Sequence, residues 1–440
     1  MGRRRSRKRL PEQPVQVRIE DLSHDGRGVA HIDQKTIFID GALPGELITF
    51  KYTGRQRSYD EGAMLSVEEA SDDRVEAKCP HFGLCGGCAL QHLDPAKQIL
   101  AKQNVLIENL SRIGSVEPDV ILPPVTGPHW GYRRKARLGV RYVAAKGRVL
   151  VGFREKRNSF LADMHVCPVL HPVVGEHLDD LSDCIGAMHA RQRIAQIEVA
   201  VSDVDTVLVF RNMDPLDEHD TQLLEDLAGK LQVNIMLQPG GPDTVAPLSG
   251  SIAELSYQLP DENIAFHFQA TDFTQVNTDI NRSMVRQALD LLDLQAGDSV
   301  LDLFCGLGNF TLPIARHVAS VTGVEGSAEL IQRAADNARL NQIDNVNYHV
   351  ANLDKPVAEQ SWMQVQYDKI LLDPPRSGAA ELIDQLPTLG ARRIVYVSCH
   401  PASLARDAGM LVAKGYRLVK AGVMDMFPHT AHVESIALFE

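Results

Sequence analysis

The sequence has no apolar run approaching the length of a membrane span, so no bilayer-crossing helix is expected. Aromatics are sparse, at 5% with two tryptophans, and positive charge is not in excess: the formal net charge is −12. A chain of that sign cannot attract a polyanion over its whole surface, so a nucleic-acid partner would have to be held locally. Nor does the basic segment Arg3 to Arg9 have an apolar stretch behind it; it runs into Pro11-Glu12-Gln13-Pro14, which does not read as a secretory signal. The expectation is a cytoplasmic protein. Cysteine is scarce, with seven residues, and in such a compartment metal binding or catalysis is a better expectation than disulfides.

What is present is unevenly spread. The length of 440 residues suits two or three domains, with 44% hydrophobic and 23% charged residues. Residues 1–9 hold six basic side chains and residues 131–157 hold ten against the single acid Glu155, leaving the remainder of the chain at about −27. Two concentrated basic segments on an acidic protein can still grip phosphates.

After a basic tail, 1–13, residues 14–72 read as a small all-β unit. Val15 to Ile19, Thr36 to Ile39 and Leu47 to Tyr52 are β-branched segments, separated by turns at Asp25-Gly26, Asp40-Gly41 and Pro44-Gly45. Its size fits an OB-like β-barrel, and Lys51, Arg55, Arg57 and Tyr59 suit RNA. Gly26-Arg27-Gly28-Val29-Ala30 followed by Gly41-Ala42-Leu43-Pro44-Gly45-Glu46 resembles a TRAM domain, a resemblance that implies an RNA-binding barrel.

Residues 73–270 read as a central α/β region that opens on Cys79-Pro80-His81-Phe82-Gly83-Leu84-Cys85-Gly86-Gly87-Cys88. Three cysteines spaced C-x5-C-x2-C among glycines can wrap tightly around a metal. Cys167, in a second Cys-Pro pair, is the first choice for a fourth ligand, with His81 and His92 as rivals. Four thiolates suit zinc or an iron–sulfur cluster. The irregular spacing is unlike the repeated C-x2-C of a zinc ribbon and favours [4Fe-4S]. Asp94-Pro95 predicts a helix over 94–113, with Ile99, Leu106, Leu110 and Ile113 on one face and Gly114 at its end, free to pack on the catalytic domain. Arg133 to Tyr142 alternates like a strand with one charged face. Strand-like runs follow at Ile194 to Val201, Thr206 to Phe210 and Val233 to Leu237, with a helix around Leu216 to Leu231.

From about residue 271 the pattern becomes a doubly wound α/β alternation. Ser299 to Leu303 leads into Phe304-Cys305-Gly306-Leu307-Gly308-Asn309, a strand entering a glycine turn that lacks the third glycine of a dinucleotide fingerprint. Such a turn is similar to the S-adenosylmethionine motif of class I methyltransferases. Glu325, some twenty residues on at the end of the next strand, can bind ribose hydroxyls. Tyr367 to Leu372 ends in Asp373-Pro374-Pro375-Arg376, a rigid loop suited to framing a flat ring. Similar loops serve amino methyltransferases, which is the rival chemistry. In Tyr396-Val397-Ser398-Cys399-His400-Pro401, Ile394 to Ser398 reads as a buried strand that leaves Cys399 at the sheet's ligand-binding edge. Taken alone, Cys399 could equally be a small buried hydrophobe. An amine needs no thiol, whereas carbon 5 of a pyrimidine becomes nucleophilic only after a thiolate adds at carbon 6, and a base must then remove the carbon 5 proton. Glu434, at the start of the last strand, is the best-placed carboxylate.

Phe273-Thr274-Gln275-Val276-Asn277, the glycine turn, Asp373-Pro374-Pro375-Arg376, Ser398-Cys399-His400-Pro401 with Arg406-Asp407, and Met426-Phe427-Pro428-His429-Thr430 with Glu434 together resemble the RNA uracil-C5 methyltransferase family. The cysteine cluster and the barrel point to its branch acting on 23S ribosomal RNA, since a tRNA-specific relative is not expected to carry the cluster. The resemblance implies a class I (Rossmann-like) methyltransferase domain over 271–440. It implies S-adenosyl-L-methionine contacts from Gln275, Phe304, Asn309, Glu325, Asn352 and Asp373, with Cys399 as nucleophile and Glu434 as base. Cys79, Cys85, Cys88 and Cys167 would ligate a [4Fe-4S] cluster, in a monomer. The sequence departs from the family at His400, where Asn is usual, which leaves the local hydrogen bonding open.

Overall fold

A computed structural model describes residues 10–251 and 253–440, so most of the basic tail lies outside the described residues. The first unit is a six-stranded sheet running, edge to edge, Val15–Arg18, Leu47–Arg55, Tyr59–Glu69, Lys35–Asp40, Gly28–Ile32 and Asp21–Leu22. Inward positions alternate as a half-buried strand requires, giving a core of Ile37, Ile39, Ile48 and Phe50. Register shifts along Leu47–Arg55 curl the sheet. Gly62 lets it close, because a Cβ there would stand 2.5 Å from the Phe50 ring. Three strands, Asp21–Leu22, Gly28–Ile32 and Tyr59–Glu69, went unread in the sequence. Glu46 is fully buried and accepts from Leu43 N–H at 2.8 Å and Arg74 Nε at 2.5 Å, which fastens the sheet to the chain that follows.

The central sheet is also six-stranded, with Ile194–Val201 between Lys135–Val143 and Thr206–Asn212. The basic stretch is less free than its composition suggested. Arg134 pairs with Asp203, Lys135 with Glu198, Arg148 with Asp179, and Lys156 and Arg157 with Asp40 of the barrel. Much of its positive charge therefore joins parts of the protein to one another, while Arg141 stays exposed.

The C-terminal half is built on an eight-stranded sheet, whose strands are numbered here within it. They are β1 (Val120–Ile121), β2 (Ser299–Leu303), β3 (Ser320–Glu325), β4 (Val346–Val350), β5 (Lys369–Leu372), β6 (Arg393–Ser398), β7 (Leu418–Met424) and β8 (Glu434–Phe439). The spatial order is β4-β3-β2-β5-β6-β8-β7-β1. Strands β2 to β6 run parallel and β8 runs antiparallel between β6 and β7. The buried apolar runs of β5, β6 and β8 are those of strands covered on both faces.

Two earlier segments pack onto this half. The helix Pro95–Asn109 is capped by Asp94, which accepts from Ala96 N–H at 2.9 Å, and it buries Ile99 and Leu106. Its end widens into a π-turn, Leu110–Gly114, that closes at Ser115 in a left-handed conformation (φ 52°) rather than at Gly114. The wider turn carries Ile113 off the predicted face, leaving it 50% exposed. Gly114 serves close approach instead: a Cβ there would meet the Ala405 carbonyl at 2.4 Å. The hairpin Leu255–Leu259 and Ile264–Phe268, at the end of the expected central region, lies on the helix Ala328–Leu340, where Asn337 and the C-cap residue Asn341 accept from the His267 and Ala265 N–H groups. Among the described residues no helix is long and apolar enough to cross a membrane.

Candidate active site and cysteine centre

Phe304, Glu325 and Asp373 stand at the carboxyl ends of neighbouring strands, with Asn352 in the loop after β4. Phe304 adopts φ 65°, followed by Gly306 and Gly308 at 53° and 91°, so the chain turns sharply at the end of β2. Glu325 lies across that turn, accepting from Gly306 N–H at 3.3 Å and Gly326 N–H at 2.7 Å. Asn352 is exposed and accepts from Asp354 N–H at 3.0 Å. Gln275 is half-buried just before the helix Thr278–Leu292. The Asn309 amide is committed within the protein: it exchanges hydrogen bonds with the Asn281 amide at 2.9 and 3.0 Å and accepts from Tyr257 Oη at 3.0 Å. As it stands, that side chain braces the turn.

Cys399 follows β6 and Glu434 begins β8. Because β8 runs antiparallel to β6, its start lies at the edge where β6 ends. Ser398 is directly opposite Ser435, so the next pair in register is Cys399 with Glu434. The Ser435 hydroxyl donates to the Ser398 carbonyl at 3.1 Å and pins that register. A cavity of about 580 Å³ opens over Cys399, walled by His432, by Gly86 and Gly87 of the cysteine loop, and by His24 and Asp25 of the barrel. All three parts of the chain therefore contribute to one pocket.

Burial raises the Cys399 thiol to about 11, with the negative charges of Glu434 and Asp373 adding to the effect and Arg376 opposing it. Burial likewise lifts Glu434 well above the ordinary carboxylate range, with Asp373 as its second cause. The Asp373 carboxyl is pushed up to about 7 by desolvation. Below Asp373, Asp302 is fully buried, also raised to about 7 chiefly by burial, and accepts from the Thr311 hydroxyl at 2.5 Å. Burial thus disfavours both the thiolate and the carboxylates at this site.

Two side chains fix the surrounding loops. His400 caps the helix Pro401–Ala413 through Nδ1, which lies 3.3 Å from Ser403 N and 2.8 Å from Ser403 Oγ. Ser403 Oγ in turn donates to the Arg376 carbonyl at 2.6 Å, tying the cysteine loop to the Asp-Pro-Pro-Arg loop. Capping is a task that Asn performs too, which accounts for His at this position. Asp407 is fully buried and accepts from Tyr396 Oη at 2.6 Å and Ala379 N–H at 2.7 Å, joining β6 to the same loop.

Cys79, Cys85 and Cys167 are buried and Cys88 half-buried. Burial raises the Cys85 and Cys88 thiols to about 11 and about 12, and charge on Cys79 and Cys167 would raise both further, so the four converge. His81 is committed elsewhere, since its Nε2 accepts from His165 N–H at 3.0 Å. His92 is buried, with Arg74, Glu46 and Lys156 as its charged neighbours. The cysteine loop is also held to the catalytic half: Ala89 and Leu90 N–H both donate to the His429 carbonyl at 2.9 Å. A tighter grouping, His189 with Asp217 and Asp220, is occupied by helix capping and by the His189 and Ala190 N–H groups.

The tRNA (Uracil-5-)-methyltransferase family matches residues 191–440, more than half of the chain, and the TRAM domain matches residues 8–51. The chain belongs to the RNA uracil-C5 methyltransferase family. This family member is 53% identical over 438 residues to the 23S rRNA (uracil(1939)-C(5))-methyltransferase RlmD of Alcanivorax borkumensis, covering 99% of this chain and 98% of that one. It is 52% identical to the RlmD of Methylococcus capsulatus, with 100% of both chains covered. Its fold is similar to the Pyrococcus abyssi tRNA (uracil-54, C5)-methyltransferase in complex with S-adenosyl-L-homocysteine, at TM-score 0.75 and 22% identity, covering 97% of this chain and 100% of that one. This uracil-C5 methyltransferase therefore has the S-adenosylmethionine-dependent methyltransferase fold with a TRAM domain, and its first sheet runs on past the TRAM match to Glu69.

Sequence reasoning did not single out Asp302, Arg376 or His432 in this uracil-C5 methyltransferase, nor the barrel's share of the pocket. Asp302 had a signal, an acid inside an apolar strand just before the glycine turn. For His24 and Asp25 the sequence carries none, because their place depends on how the barrel docks.

Proposed function

We propose that this protein methylates carbon 5 of a uridine in 23S ribosomal RNA with S-adenosyl-L-methionine, the uridine being 1939 as in the names of its relatives. The observation that carries the reading is Cys399 in a pocket shared by all three parts of the chain, with Glu434 next in register across the pair of β6 and β8. Full-length identity of about half to enzymes named for 23S RNA favours that substrate over tRNA. The target base must leave its stack to reach the cavity, and single-stranded or bulged RNA permits this at least cost.

In this reading the Cys399 sulfur, once deprotonated, adds to carbon 6 of uracil, and the electron pair of the ring double bond moves toward carbon 5 and the 4-carbonyl. S-adenosylmethionine supplies an electrophilic methyl group; Gln275, Phe304, Glu325, Asn352 and Asp373 would hold it, with Asn309 acting through the turn. Carbon 5 takes the methyl group as its bond to the sulfonium sulfur breaks, releasing S-adenosyl-L-homocysteine; Glu434 as carboxylate takes the carbon 5 proton, and the bond from carbon 6 to the Cys399 sulfur breaks to restore the ring and the thiolate. An environment that raises the Glu434 pKa makes its carboxylate a stronger acceptor for that proton.

Cys79, Cys85, Cys88 and Cys167 would hold a [4Fe-4S] cluster. Three buried thiols and a half-buried one, with a backbone donor, Gly87 N–H, at 3.4 Å from Cys85 Sγ, suit such a group. The irregular C-x5-C-x2-C spacing with a distant fourth cysteine favours this cluster over a zinc ribbon, which repeats its C-x2-C pairs. Its task would be to hold the loop of Gly86 and Gly87 as a pocket wall, because the transfer itself moves no electron. Mapping methylated uridines in 23S RNA from cells with and without the protein tests the function: one 5-methyluridine should vanish, and an unchanged map would refute it.

A further inference from the structure

Gln91 lies three residues beyond Cys88 and is 3% exposed. Its Oε1 accepts the Cys79 backbone N–H at 3.0 Å, a bond that only the oxygen of the amide can accept. The amide orientation is therefore fixed, and Nε2 must point the other way. That nitrogen is buried and finds no hydrogen-bond partner among the described residues. Cys88 is close enough that the Gln91 amide favours the charged form of its thiol. A neutral thiol is a weak acceptor, and leaving a buried amide N–H unsatisfied is unfavourable. A metal-bound thiolate, by contrast, carries negative charge and accepts strongly.

We propose that Gln91 is a positioning residue of the cysteine centre, its Nε2–H donating to the Cys88 thiolate while its Oε1 holds the Cys79 backbone. The inference rests on the iron–sulfur reading above. One side chain thereby braces two ligands twelve and three residues away, and the orphaned donor is satisfied only when the centre is loaded. A hydrogen bond to a cluster sulfur favours the more negative, reduced state, so Gln91 raises the reduction potential.

The test compares the full-length, anaerobically purified protein with Gln91→Glu, which keeps the acceptor for Cys79 and removes the donor, and with Gln91→Met, an apolar residue of similar size. Iron and sulfide are counted first, and the midpoint potential is then read by redox titration followed by electron paramagnetic resonance. The expected result is unchanged iron and a lower midpoint potential in both variants, with faster bleaching of the absorbance near 400 nm in air. Iron-loaded variants that titrate at the wild-type potential would overturn the proposal. Should Gln91→Glu exclude iron, Gln91→Met alone decides. A wild-type protein without iron would instead defeat the cluster reading on which the proposal rests.

Discussion

Lys102 donates to Asp425 at 2.6 Å with both side chains almost wholly buried, one on the helix that precedes the central sheet and the other in the loop after β7. The same ammonium reaches the Phe427 carbonyl at 2.9 Å. This contact joins residues more than three hundred positions apart and sets the loop that leads to His432 and Glu434. Removing one partner of a buried pair strands the other charge, so Lys102→Ala is expected to lower stability by roughly 3–5 kcal/mol in denaturant unfolding. The doubly apolar Lys102→Met, Asp425→Leu should recover part of that loss.

Gly114 and Gly409 touch where the N-terminal helix meets the helix behind Cys399; a Cβ on Gly409 would stand 2.6 Å from the Gly114 carbonyl. Gly114→Ala should push the two helices apart at a cost of roughly 1–3 kcal/mol. Thermal melting checks it, and a variant with wild-type stability would mean that the helix is free to shift.

Burial pushes the Asp302 carboxyl up to about 7, above the roughly 3.9 of an unfolded aspartate. Between those values the native state binds more protons than the unfolded chain, so stability falls as pH rises from about 4 to about 7, with the full penalty present above 7. Asp302→Asn removes this contribution. Its melting temperature should depend less on pH than that of the wild type, partly rather than wholly, because Asp373 acts with the same sign.

His400→Asn should retain activity, since Asn caps the helix as well. His400→Ala should lose about 1 kcal/mol of stability with the cap. A large loss of activity in the Asn variant at unchanged stability would give the imidazole a role beyond capping.

The strands of the catalytic half were legible because parallel strands covered on both faces are continuous apolar runs: Lys369–Leu372 and Arg393–Ser398 end where the pattern placed them. In the barrel, Gly28–Ile32 and Tyr59–Glu69 escaped because glycine, charge and bulges interrupt their alternation. Ile113 illustrates a subtler loss, since a period of 3.6 cannot foresee a π-turn. Site chemistry carried by motif residues, such as Cys399, was open to reading. Chemistry supplied by distant contacts was not: Lys102 has no local signal of its partner Asp425.

Treatment of Glu434→Gln with a 23S RNA fragment and S-adenosylmethionine, resolved on a denaturing gel, tests the pairing of Cys399 with Glu434 most directly. Addition and methyl transfer should proceed and elimination should stall, giving a protein–RNA band that disappears when Cys399→Ala is added. No such band, or a band that persists without the Cys399 thiol, would contradict the account.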